Sequence, residues 1–153
     1  MRSERSIDIE APAERVWSNY RAVTGWADWT KSVRSIQPLD GELPAVGGRF
    51  RIDQPRLPTL VWTVTDVQEG RSWRWEQRSP GGHTVVDHVV EPLDAGRTRV
   101  HLRLEQRGPI GALVGWLARG TTARYLTMEA EGLKAICEST RDDPATTDDA
   151  ASG

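Results

Sequence analysis

The sequence holds one cysteine, one phenylalanine, two methionines and three histidines among 153 residues. The lone Cys137 has no internal disulfide partner, and it and the histidines are too scattered for a zinc cage. No metal and no cofactor are expected. An excess of one charge is also missing, since 20 basic side chains nearly balance 22 acidic ones. The overall balance gives no electrostatic case for nucleic acid or an anionic membrane. The longest apolar run, Ile110 to Ala118, is broken by Gly111 and Gly115 and is shorter than the ~18 residues of a membrane span. The start, Met1 to Arg5, has no apolar signal core. The expectation is a soluble protein of a reduced, cytoplasmic setting with no stable membrane insertion. The sequence also lacks G-x-G-x-x-G, a P-loop, H-E-x-x-H, G-x-S-x-G and C-x-x-C, so nucleotide, metal and acyl-serine chemistry drop out. Oligomeric state is not legible.

What is present is tryptophan, seven of them, and a strict alternation of apolar and charged residues. The length suits one domain, which we place at 1–140, followed by a disordered acidic tail at 141–153 that has nothing to bury. Ser6 to Glu10 alternates as a strand, and Ala11-Pro12 opens a helix carrying Val16, Trp17 and Tyr20 on one side. Thr24-Gly25 breaks that helix, and Trp26-Ala27-Asp28-Trp29 predicts a second short helical turn. Six further strands follow between glycine- and proline-marked turns, at Val33–Gln37, Arg49–Gln54, Leu60–Val67, Ser72–Arg78, Thr84–Glu91 and Thr98–Gln106. Connections this short join antiparallel neighbours, because a parallel crossover needs a dozen residues or more. Gly108-Pro109 ends the sheet, and Ile110 to Ser139 reads as one long helix. Its predicted inward arc holds Val114, Ala118, Thr121, Tyr125, Met128, Gly132 and Ile136. A helix of that length requires a sheet that curves around it.

Alternation assigns faces: Trp73, Trp75 and Gln77 oppose Arg74, Glu76 and Arg78, and Val86 and His88 point inward. Trp62 and Val64 share one side of their strand and Val61, Thr63, Thr65 and Val67 the other, while Val85 and Val89 are assigned outward. The indoles either fill the core or wall a pocket between sheet and helix, since ligand pockets are apolar with a few convergent polar groups.

The chain order resembles the helix-grip fold. The segments Ile9-Glu10-Ala11-Pro12-Ala13-Glu14-Arg15-Val16-Trp17 and Trp26-Ala27-Asp28-Trp29 are similar to the bacterial SRPBCC superfamily, as are Trp62 to Val67, Asp87 to Pro92, Gly96 to Val100 and Met128 to Lys134. The likeness is to its polyketide cyclase/dehydrase and lipid-transport-like branch, which is related to START domains and the birch-pollen-allergen fold. It implies an α+β architecture: a seven-stranded antiparallel curved sheet wrapped around a long C-terminal helix, with two short helices after strand one. It also implies a cavity for an apolar or aromatic small molecule. Fold alone does not choose among the superfamily's activities.

The favoured reading is binding or carriage of a lipid, isoprenoid or polyketide-like compound. Trp26, Trp29, Phe50, Trp62, Trp73, Trp75, Val86 and Met128 form its walls, and His88, Thr121 and Tyr125 orient the guest. The second reading is a polyketide cyclase or dehydratase, with His88 and Tyr125 as the acid–base pair that removes a proton beside a carbonyl and expels water. The third is a partner-binding or stress-linked adaptor with a collapsed cavity. Glu129 sits at the edge of the inward arc, where an arginine or solvent is the expected partner. Cys137 is read as a small buried hydrophobe, and the helix glycines as either a loosened segment or points of close packing.

Overall fold

In the computed structural model, which describes residues 1–139, the elements follow the expected order. They are β1 (Arg2–Ile9), α1 (Ala13–Arg21), a 3₁₀ turn (Val23–Asp28), β2 (Ser35–Pro38), β3 (Arg49–Asp53), β4 (Leu60–Gln68), β5 (Ser72–Ser79), β6 (Gly82–Asp94), β7 (Arg97–Arg107), α2 (Pro109–Leu117) and α3 (Arg119–Ser139). The acidic segment 141–153 lies outside the described residues.

All seven strands form one antiparallel sheet in the order β1-β7-β6-β5-β4-β3-β2. Pro12 starts α1: its extended backbone needs no donor there, and its carbonyl accepts the amides of Arg15 and Val16 at 3.1 and 3.2 Å. Helix α1 buries Val16, Trp17 and Tyr20. The following turn buries Trp26, whose indole N–H donates to the Tyr20 carbonyl at 2.8 Å.

Alternation sets the inward face of β5 and β6. Trp73, Trp75 and Gln77 are buried while Arg74 and Arg78 are exposed, and Val86, His88 and Val90 are buried. One face assignment is corrected, and one outward residue is buried all the same. Strand β4 shifts register between Val64 and Asp66, and the extra residue of such a bulge reverses the parity of the residues beyond it, so Val67 packs against the core. Val85 is on the outer face but buried, in a depression bordered by long side chains that include Arg2, Arg74, Arg103 and Arg107.

The predicted single helix is two. The chain breaks at Ala118, where the backbone leaves helical geometry (φ −94°, ψ 6°) and α3 starts afresh. The buried stripe of α3 is Leu126, Glu129, Ala130, Leu133 and Cys137, one residue out of phase with the expected arc. One residue is about 100° of rotation, so Thr121, Tyr125, Met128, Gly132 and Ile136 flank the contact with the sheet rather than centre it. The arc failed because it was phased on Val114 and Ala118, which belong to a different helix axis. Glycine supplies the close packing of both helices. A Cβ on Gly132 would run into the Trp29 carbonyl oxygen, and one on Gly115 into the Gln106 side chain. Cys137 is buried, accepts from the Asn19 amide at 3.6 Å, and has its thiol pushed up to about 11 by burial.

Candidate ligand cavity

A hollow of about 80 Å³, the space that the centre of a water-sized sphere can reach, lies between the sheet and α3. It has room for several waters or a small guest. The sheet contributes Ile52, Trp62, Trp75, Val86, His88 and Leu104 to its wall. Helix α3 contributes Thr122, Tyr125, Leu126 and Glu129, and the loops flanking β2 and β3 add Ser32, Val33, Gln54 and Leu57.

Of the residues picked out from sequence, Trp62, Trp75, Val86, His88 and Tyr125 come together on this lining. Trp26, Trp73 and Phe50 do not; they are fully buried behind it, where Trp26 and Phe50 contact Trp75 at ring-centroid distances of 5.6 and 6.2 Å. Trp29 packs on Trp26 at 5.5 Å and over Gly132. Thr121 and Met128 border a separate outer depression, which Tyr125 shares. The indoles thus divide into a lining and a supporting layer.

His88 is held flat against Trp73, with ring centroids 4.2 Å apart and planes at 11°, and its Nδ1 lies 3.4 Å from the Trp73 carbonyl oxygen. Burial pulls its pKa down to about 3, so the imidazole is neutral at physiological pH. The Tyr125 hydroxyl donates to the Pro55 carbonyl and is therefore engaged by the loop after β3, instead of standing free opposite His88 as the acid–base pairing expected. That loop carries Arg56 in the left-handed region at φ 65° and presents Gln54 and Leu57 to the cavity.

The decisive polar group is Glu129. The expected arginine is not its partner. Its Oε2 accepts from the buried Tyr20 hydroxyl at 3.0 Å, and burial raises its pKa to about 8, with the Tyr20 bond opposing the rise. At neutral pH it is mostly a neutral carboxylic acid facing the cavity. Tyr20 is in turn raised well above its ordinary value by burial and by Glu129, so it remains a donor. An acidic residue recurring in step with Leu126, Leu133 and Cys137 was the signal available in the sequence, once the correct stripe is known.

The model of the family "Polyketide cyclase / dehydrase and lipid transport" matches residues 1–138. The chain belongs to this family. Solved structures agree on the fold. The Zhui aromatase/cyclase from Streptomyces sp. R1128 is 19% identical with a TM-score of 0.76, over 94% of this chain and 96% of that one. A START superfamily protein from Mycobacterium smegmatis is 18% identical at TM-score 0.67, over 91% and 98%. The di-domain ARO/CYC BexL of the BE-7585A biosynthetic pathway is 18% identical at TM-score 0.70, over 93% of this chain and 48% of that one. Among curated proteins no match was found. At such identities the likeness is one of fold, and this member of the polyketide cyclase/dehydrase and lipid transport family must be read from its own cavity.

Proposed function

We propose that this protein binds a small, ring-bearing ketone or related polyketide-like compound between the sheet and α3, held by indole faces and by one hydrogen bond from Glu129. The observation that carries this reading is a neutral carboxylic acid on an otherwise mostly apolar wall. An ionised carboxylate would repel a carbonyl oxygen, whereas a protonated one donates to it. Trp62 and Trp75 supply flat apolar surface, and neutral His88 offers a second hydrogen-bonding group without a buried charge. The size of the hollow favours a small guest over a long-chain lipid or isoprenoid. Its existence is also a reason to prefer a binder to an adaptor with a collapsed cavity.

Glu129 also supports a second reading, cyclisation with loss of water. As the acid it would protonate a departing hydroxyl, and as the carboxylate it would take a proton from carbon beside a carbonyl. Its pKa of about 8 suits both directions near neutral pH. His88, at about 3, suits hydrogen bonding better than proton storage.

Titration with acetophenone and 2-acetylnaphthalene, followed by tryptophan emission and calorimetry, tests the binding reading. Saturable binding is expected, weakened at least tenfold in Trp75→Ala or Glu129→Leu and falling as pH rises through 8. Absence of saturable binding to either ketone, or binding indifferent to both substitutions, would overturn it.

A further inference from the structure

Helix α2 is oriented the reverse of an ordinary amphipathic helix. Its two glycines face the protein: Gly115 is buried against Gln106 and Met1, and a Cβ on Gly111 would lie 3.2 Å from Gly82. Its large residues face out. Ile110, Leu113, Val114, Trp116 and Leu117 are each about half exposed or more, Leu117 reaching 67%, and they form most of the large exposed hydrophobics of the described chain. A contiguous apolar surface of this kind marks an interaction site.

The charges beside it are of one sign. From 106 to 128 the sequence contains Arg107, Arg119 and Arg124 and no acid, a local asymmetry that the near-neutral total conceals. Arg107 is paired with Glu105 at 3.0 Å, but Arg119 lies over the Trp116 ring at 5.3 Å, and Arg124 shares an acid-free depression with Lys31 and Arg56. Among the described residues none of Lys31, Arg56, Arg119 and Arg124 lies within ion-pairing distance of a carboxylate.

From this juxtaposition we infer that α2 docks, lying flat, on an anionic phospholipid surface, with Trp116 and its leucine neighbours among the acyl chains and Arg119, Arg124, Lys31 and Arg56 against the headgroups. An interfacial helix needs an apolar face, a tryptophan and flanking cations, and all three are here. Spanning is excluded for the described helices, none of which is long and apolar enough. A second copy of the chain fits less well. Nine residues make a helix about 14 Å long and ~10 Å wide, well under the ~800 Å² per partner of a stable dimer, and its cationic border would face its own like. The chain's own segment 140–153 offers acids but no large apolar side chain to cover Trp116. Tyr125 lines both the cationic depression and the cavity, so the docked face would be the one through which the cavity meets its surroundings.

The test is cosedimentation of the full chain with vesicles of phosphatidylcholine alone, and of equal parts phosphatidylcholine and phosphatidylglycerol. Binding is expected only to the mixed vesicles, and to weaken with added salt. Arg119→Gln with Arg124→Gln should weaken it about fivefold per charge removed. Leu113→Ser, Trp116→Ser and Leu117→Ser together should abolish it while thermal melting and aryl-ketone titration stay unchanged, which separates this inference from the ligand reading. Failure to bind mixed vesicles, equal binding to both kinds, or full retention in the triple variant would each overturn the inference. So would a concentration-dependent dimer in sedimentation velocity that the triple variant abolishes, which would assign the face to a second copy.

Discussion

The Tyr20 hydroxyl, from α1, and the Glu129 carboxyl, from α3, meet at 3.0 Å in a site where both are buried. Ionising the carboxyl there carries a desolvation cost that one neutral donor does not repay, while removing the carboxyl altogether would leave the buried Tyr20 hydroxyl without an acceptor.

The pH dependence of stability should expose that cost. Glu129 titrates near 4.5 unfolded and about 8 folded, so its favourable contribution is complete below 4.5 and is lost as pH rises towards 8. His88 acts oppositely: unfolded near 6.5 and folded about 3, it costs stability only as pH falls below 6.5. The interval from 6.5 to 8 therefore isolates Glu129. Glu129→Gln, whose amide oxygen still accepts from Tyr20, should melt higher than the parent at pH 8, by the equivalent of a few kcal/mol, and the gap should shrink as pH falls towards 4.5. Parallel melting curves for the two proteins across that range would show that Glu129 is not held neutral.

Tyr125→Phe removes a hydrogen bond tying α3 to the loop after β3 at Pro55. A loss of only about 1 kcal/mol in global stability is expected. The local effect should be larger, with faster amide exchange at Gln54 and Leu57 and faster release of bound aryl ketone in stopped flow. Unchanged exchange and release would mean the loop is held by its own packing.

Two glycines of α3 should respond with opposite sign. Gly120 has open space where a Cβ would go, so Gly120→Ala should stabilise by up to about 1 kcal/mol. Gly132→Ala would drive its methyl into the Trp29 backbone and should destabilise by about 1–3 kcal/mol. Urea midpoints of the two variants, which must fall on either side of the parent, decide it.

Much of this architecture is local and therefore legible in sequence. Alternation in β5 and β6 put Trp73, Trp75, Val86 and His88 inward because the pleat allows no other parity. Two features turned on what periodicity does not encode. The bulge after Val64 adds one residue to β4, and Val67 changes face with it. The break at Ala118 re-phases α3, which moved Glu129 from the edge of the expected arc to the buried stripe and made it the polar centre of the site. Which indoles line the hollow and which stand behind it was also beyond reach, because Trp26 and Trp75 are equally apolar in sequence and differ only in their neighbours across the fold.

The aromatic rings touch in series: Trp17 with Trp73, Trp73 with Trp26 and Trp75, and Trp75 with Trp62 and Phe50. Groups in mutual contact do not change independently, so the apolar outline of the chamber is inherited as a block. Gln54 and Leu57, on the connection between β3 and β4, border the same space and belong to no ring stack. Divergence toward a differently shaped guest is therefore channelled through that short connection, and the indole framework can persist unchanged while the repertoire widens.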